Sequence, residues 1–403
     1  MNVKIEKSTA RGAVLAPPSK SFAHRLLICA ALAGKSRVQG LEESEDILAT
    51  LDCVAACFGA KYEKQGADVA FSESDVYGAA KGALMCRESG STMRFFIPLC
   101  LVKNTECKLY GAGKLLSRPM SVYENICREQ NLTFAHEGDH IRVCGPLKAG
   151  RFTVPGNISS QFISGLMFAL PLLDGESEIC IVTPLDSKPY IDITMEALAA
   201  YGVSAVWKDE YTIAIAGGQK YTPADETVEG DYSNAAFLSA FNLFGGEVNV
   251  QGLCETSVQG DKAYIEHFRL LAEGTPTIDI SDCPDLAPIL MSVAAAKNGV
   301  RLTGTARLKI KESDRGAVMA AELAKFGVPV TVNENDIIVE GGHFHAPEGV
   351  LFGHNDHRVV MSMAVLASLT GGEIEGAEAC RKSYPAFFEV IKKLGIEVTQ
   401  SGN

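Results

Sequence analysis

Apolar positions along this chain recur at two spacings. One is a strict alternation. Val328-Pro329-Val330-Thr331-Val332 alternates, turns through Asn333-Glu334-Asn335-Asp336 and resumes as Ile337-Ile338-Val339, a strand–turn–strand pattern. The other is a helical spacing that stops at glycine, as in Cys57-Phe58-Gly59-Ala60, Ala200-Tyr201-Gly202-Val203, Lys325-Phe326-Gly327-Val328 and Lys393-Leu394-Gly395-Ile396. Helix starts read as a Ser, Asp or Asn cluster before an apolar run. Six stand out: Pro18-Ser19-Lys20-Ser21, Glu88-Ser89-Gly90-Ser91, Asn157-Ile158-Ser159-Ser160, Asp231-Tyr232-Ser233-Asn234, Asp282-Cys283-Pro284-Asp285 and Asn355-Asp356-His357-Arg358. Ser19, Ser89 and Ser159 lie 70 residues apart, Ser233 follows after 74, Pro284 after only 51 and Asp356 after 72. Starts and stops keep step, which argues against chance periodicity. They define a unit of helix, strand, helix, strand, turn, strand. Six units of about 67 residues fill the chain and predict an α/β stack of helices on sheets. Between Gly274 and Asp279 there is room for one strand, so the fourth unit is expected to lack its hairpin.

Length and composition narrow the function classes. A chain of 403 residues suggests two to four domains. With 47% hydrophobic and 21% charged residues it is an ordinary globular sequence, not a disordered or collagen-like one. The net charge of −12 argues against a nucleic-acid partner, while a local basic pocket can still hold a small anion. The twelve cysteines include no Cys-x-x-Cys pair, and most sit in apolar runs such as Leu99-Cys100-Leu101. They read as reduced, buried thiols of a cytoplasmic protein rather than metal ligands. No secretory signal and no run of about 18 apolar residues is seen, so no membrane partner is expected.

The helix starts carry the candidate chemistry. A helix N-terminus offers unpaired N–H groups and partial positive charge, and suits phosphate or carboxylate. Lys20 and Arg25 belong to the first start, Arg94 to the second and Arg358 to the sixth. At any single start, Ser or Asp serves equally well as a plain cap. In Arg307-Leu308-Lys309-Ile310-Lys311-Glu312-Ser313-Asp314-Arg315, alternation predicts a strand with the cations at 307, 309 and 311 on one face. Such a strand could equally be a solvated edge. Ser313 or Asp314 then caps a helix whose first turn holds Arg315, a cation that requires an anionic partner there. Arg118 before Pro119, and Arg381-Lys382 before Pro385, add cations near two further helices. Asp285 and Glu312 are the acids among them. They serve either as salt-bridge partners or as a general base and acid. Phosphate-loop, dinucleotide, His-Glu-x-x-His and Gly-x-Ser-x-Gly patterns are absent.

Read together and in order, several segments resemble the enolpyruvyl transferase family. They are Pro18-Ser19-Lys20-Ser21 with Arg25, Ser89-Gly90-Ser91-Thr92-Met93-Arg94, Ser117-Arg118-Pro119, Ser159-Ser160-Gln161 and Ser187-Lys188-Pro189-Tyr190. Pro284-Asp285, Lys311-Glu312-Ser313-Asp314-Arg315, Asn355-Asp356-His357-Arg358 and Lys382-Ser383-Tyr384-Pro385 complete the series. The resemblance implies an α/β fold of two similar domains, each of three repeated βαβαββ-type units, with the active site in the interdomain cleft. It places one domain at residues 18–229 and the other at 1–17 with 230–403.

The implied reaction moves the enolpyruvyl group of phosphoenolpyruvate to the 5-hydroxyl of shikimate 3-phosphate and releases phosphate, through a tetrahedral intermediate. It implies no metal and no organic cofactor, which fits the missing motifs. By this resemblance Lys20, Ser21, Arg25, Ser159, Ser160, Gln161, Ser187, Asp285 and Lys311 hold shikimate 3-phosphate, with Tyr190 near its ring. Lys20, Gly90, Arg118, Gln161, Arg315, Arg358 and Lys382 hold phosphoenolpyruvate. Asp285 is the expected base, Glu312 the expected acid, and Lys20 assists proton transfer and the leaving phosphate. Glu88 and Ser89 stand where many members have Asn-Ala, and Phe95 where many have proline. Gly90 is kept, leaving room for phosphoenolpyruvate or a mimic such as glyphosate. The partners expected are these two small anions, acting on a monomer. Two other readings share some of these features. A sister transferase acting on UDP-N-acetylglucosamine usually has a cysteine near Lys114 to Arg118, and none is present here. A non-catalytic phospho-ligand-binding repeat protein would not need Asp285 and Glu312 beside the cations.

Overall fold

The computed structural model describes residues 1–401. The chain divides into two compact units, residues 18–229 and residues 1–17 with 230–401. Each encloses its own apolar core.

In the unit of residues 18–229, three almost wholly buried helices, Lys20–Ala33, Gly90–Leu101 and Ser160–Ala169, recur with the sequence period. A serine caps each one: Ser19 accepts from the amide of Phe22, Ser89 from Thr92 and Ser159 from Gln161. Each is followed by a strand, a second helix and a hairpin. The result is three four-stranded sheets of one pattern, with a parallel outer pair and an antiparallel remainder. In the second sheet Leu84–Met85 runs parallel to Glu106–Tyr110, followed by His140–Cys144 and Thr133–Glu137. In the first, the outer strand is Asp225–Thr227, supplied from the far end of the unit and parallel to Arg37–Gln39.

The other unit closes its pattern with the chain's N-terminus. Asn2–Ile5 lies antiparallel between Gly372–Glu375 and Val398–Ser401, and Arg11–Leu15 pairs in parallel with Glu247–Gln251. That last pair is a two-stranded sheet, so the fourth repeat does lack its hairpin. After helix Tyr264–Glu273, the strand Thr277–Asp279 already belongs to the next sheet, parallel to Gly299–Thr303. Ten of the twelve cysteines are buried and all are free thiols. The helix stop at Gly59 is confirmed: it takes the left-handed conformation (φ 58°) that closes helix Glu45–Phe58.

The basic segment departs from its predicted strand. Strand Gly299–Thr303 ends at Gly304, and Ala306–Ile310 forms a 3₁₀ helix. The amide of Ala306 donates to Asn335 Oδ1 (3.0 Å) and that of Leu308 to the Thr305 carbonyl (2.9 Å). A strand needs a neighbour for its backbone groups, and this turn satisfies them locally. With three residues per turn, Arg307 is buried while Lys309 is exposed, so the three cations do not share a face.

Candidate active site

In the unit of residues 18–229, the starts of the three buried helices carry most of the expected residues. Lys20 opens the first, and its ammonium lies 2.7 Å from Asp46 Oδ2 at the start of helix Glu45–Phe58. One turn on, Arg25 is buried. It donates to Thr194 Oγ1 (2.7 Å), the Ser21 carbonyl (2.7 Å), the Tyr190 carbonyl (3.0 Å) and Ser164 Oγ (3.4 Å), over the Phe95 ring at 5.0 Å. Burial without a carboxylate partner pulls its pKa down to about 10, still cationic at neutral pH. Ser21 and Tyr190 are thus tied together through Arg25. Ser187 is buried and left-handed (φ 59°) at the start of helix Lys188–Ala200.

At the second start, Gly90, Arg94, Arg118 and Gln161 converge. Arg94 donates to Gln161 Oε1 (2.7 Å) and to the Pro119 carbonyl (3.2 Å), and Gln161 Nε2 donates to Ser91 Oγ (2.8 Å). A Cβ on Gly90 would sit 2.8 Å from the Arg118 guanidinium, so the glycine is what allows that approach. The Arg118 side chain makes no hydrogen bond or ion pair among the described residues, and its buried Nε has no acceptor. Arg118 lies between a 3₁₀ turn, Leu115–Ser117, and helix Ser121–Glu129, which begins two residues beyond Pro119 rather than at it. Ser159 and Ser160, both buried, sit at the third start beside Gln161.

The other unit gathers the remaining residues around one arginine. Arg315, 1% exposed, opens helix Arg315–Lys325 behind the cap Asp314. It donates to Asp356 Oδ2 (2.9 Å), Asp285 Oδ1 (2.8 Å) and Glu312 Oε2 (2.6 Å). Asp285 also accepts from Lys311 Nζ (3.2 Å) and Arg358 NH2 (3.0 Å), and Arg358 donates to Ser233 Oγ as well. Lys382 reaches the Asn355 carbonyl at 2.8 Å. Burial opposes the charge on Asp285, but Arg358, Lys311 and Arg315 overcome it and hold its pKa well below the usual carboxylate range. Burial likewise lowers the pKa of Lys311, against the pull of Asp285. The anionic partner required for Arg315 in a first turn is therefore threefold.

Several residues were not singled out in the sequence. Asp46, which receives Lys20, was not among the candidates, and Asp356 stood there only within the segment Asn355-Asp356-His357-Arg358. Asp261 lies in the 3₁₀ turn Gly260–Ala263. Burial, reinforced by the charges of Asp285 and Asp231 and opposed by Arg358, pushes its carboxyl up to about 7. No periodicity marks it, since it is a short-range acid brought to the cluster by tertiary packing. Among the described residues, no group of His, Cys, Asp and Glu could hold a metal ion, and no helix is long and apolar enough to cross a membrane.

This assembly has close counterparts among known proteins. Residues 5–391 match the model of the family described as EPSP synthase (3-phosphoshikimate 1-carboxyvinyltransferase). A 3-phosphoshikimate 1-carboxyvinyltransferase of Clostridium perfringens is 38% identical over 418 aligned positions, covering 98% of both chains. One of Clostridioides difficile is 34% identical over 426 positions, covering 98% of this chain and 97% of the relative. A solved EPSP synthase from Acinetobacter baumannii superposes with a TM-score of 0.80 at 26% identity, covering 99% of this chain and 100% of that one. With similarity running nearly end to end in sequence and in fold, the chain belongs to the EPSP synthase (3-phosphoshikimate 1-carboxyvinyltransferase) family.

Proposed function

We infer that this chain transfers the enolpyruvyl group of phosphoenolpyruvate to the 5-hydroxyl of shikimate 3-phosphate, giving 5-enolpyruvylshikimate 3-phosphate and phosphate. The observation that carries the reading is the shared arginine: Arg315 donates to both Asp285 and Glu312, which sets a base and an acid side by side among cations. Family membership fixes the reaction, and the geometry supports the roles given to individual residues.

In this reading Lys20, Ser21, Arg25, Ser159, Ser160, Gln161, Ser187, Asp285 and Lys311 hold shikimate 3-phosphate. Lys20, Gly90, Arg118, Gln161, Arg315, Arg358 and Lys382 hold phosphoenolpyruvate. The unpartnered guanidinium of Arg118 beside Gly90 supports an anion there. Neutral serine caps at Ser19, Ser89 and Ser159 leave the positive helix ends uncompensated, which also favours phosphate and carboxylate. Asp285, kept ionised, takes the proton of the 5-hydroxyl as that oxygen attacks C2 of phosphoenolpyruvate, and Glu312 gives a proton to the methylene carbon. The tetrahedral adduct then returns a methyl proton, re-forms the C=C bond and expels phosphate, with Lys20 stabilising the departing charge. Three cations make Asp285 a weak base. Substrate anions that draw hydrogen bonds from Arg358, Arg315 and Lys311 relieve it, so binding itself strengthens the base.

We further read the chain as a cytoplasmic monomer without a nucleic-acid partner. The net charge of −12 and the buried, free thiols support this. The test of the main reading is phosphate release from phosphoenolpyruvate by the purified protein. Release is expected only when shikimate 3-phosphate is supplied. Release with UDP-N-acetylglucosamine instead, or binding of both substrates without turnover, would remove it.

A further inference from the structure

Helix Arg315–Lys325 uses one face twice. Arg315 grips Asp356, and seven residues on, two turns along the same face, stands Glu322, 1% exposed. Glu322 Oε2 accepts the amide of Phe352 (3.0 Å) and Lys325 Nζ (2.8 Å), while Oε1 accepts from His354 Nε2 (2.8 Å). Lys325 ties down the same segment through the Val350 carbonyl (2.9 Å) and the Phe352 ring (4.3 Å). The corner 352–356 is thus held at both ends by one helix face.

Between those two grips the backbone is strained. His354 (φ 49°) and Asn355 (φ 54°) are consecutive non-glycine residues in the left-handed region. That conformation turns the Asn355 carbonyl to Lys382 and delivers Asp356 as the cap of helix His357–Thr370, which carries Arg358. Three cations assigned to phosphoenolpyruvate, Arg315, Arg358 and Lys382, therefore depend on this corner.

We propose that Glu322 is a positioning residue: it holds the strained His354–Asn355 corner and so sets the phosphoenolpyruvate cations in place without touching substrate. The inference rests on the site assignment above. In Glu322→Gln the charge that receives His354 and Lys325 is lost. The KM for phosphoenolpyruvate is expected to rise about tenfold, and the KM for shikimate 3-phosphate to stay within about twofold. Adding Asn355→Gly, which adopts the same φ without strain and keeps the carbonyl, is expected to recover part of that loss. His354→Ala removes one arm from a partly exposed ring, and gives the same shift more weakly if Glu322→Gln does not fold. An unchanged KM for phosphoenolpyruvate in folded Glu322→Gln or in His354→Ala, or an equal rise for both substrates, overturns the inference. Arg358→Lys serves as the control. No rise in the KM for phosphoenolpyruvate there overturns the site assignment itself, whereas a rise there with none in Glu322→Gln overturns only the role of Glu322.

Discussion

Gly90 shows how much one absent side chain decides. Its position two residues after Glu88 says little by itself, yet the missing Cβ is what lets the Arg118 guanidinium approach to 2.8 Å of that point. Gly90→Ala is expected to displace the flexible end of Arg118 rather than backbone, so stability should change little. The KM for phosphoenolpyruvate is expected to rise about tenfold, a free-energy loss of about 1.4 kcal/mol. Steady-state kinetics with each substrate varied in turn checks this, and an unchanged KM would detach Arg118 from the site. Most such residues were legible because chemistry restricts them: Lys20, Arg118, Asp285, Glu312, Arg315 and Arg358 are charged groups beside helix starts. Asp46, Asp261 and Glu322 were not, because an acid in a sequence carries no sign of whether it will be buried.

Elements explain why these residues stay where they are. A chain of buried hydroxyls ties three helices together: His24 Nδ1 to Thr50 Oγ1 (2.7 Å), Thr50 to Thr92 (2.8 Å) and Thr92 to the cap Ser89 (2.7 Å). Thr50→Val keeps the shape and deletes the middle link, leaving His24 and Thr92 each short of a partner. A loss of about 1–3 kcal/mol in urea unfolding is expected, with both KM values retained. A change within about 0.5 kcal/mol would show that the link contributes nothing. At this scale the helix starts and glycine stops were plain in the sequence, since caps and left-handed closures demand particular residue types. The basic segment misled because alternation describes side-chain spacing only. Whether a strand forms there depends on a partner edge, and Asn335 satisfies the Ala306 amide instead.

At the scale of the whole molecule, each unit needs a strand from a distant part of the chain. Asp225–Thr227 completes one pattern, while Asn2–Ile5 and Arg11–Leu15 complete the other. Stability against pH is a property at this scale. The folded pKa of Asp261, about 7, lies above its ordinary 3.8. The folded state therefore keeps a proton that the unfolded chain releases. This stabilisation is full below about pH 4 and is lost as pH rises through 7. Asp285 runs oppositely, losing its contribution only as pH falls through its depressed pKa. His24 and His267, whose protonation burial disfavours, also favour the folded state more as pH rises towards 6.5. Comparing Asp261→Asn with the parent isolates the one carboxyl. From pH 5 to pH 8 the variant's unfolding free energy is expected to gain about 2 kcal/mol on the parent's. Parallel curves would mean that Asp261 is already ionised at pH 5.

The sequence by itself determined the repeat, the shortened fourth unit and the helix ends, because each follows from residue type at fixed spacing along the chain, whereas the reaction class came from the resemblance of its motifs to a known family. Tertiary structure alone decided which acid meets which cation. Asp285, Glu312 and Asp356 meet on the nitrogens of one arginine, and the packing of the folded unit, not spacing along the chain, sets that meeting.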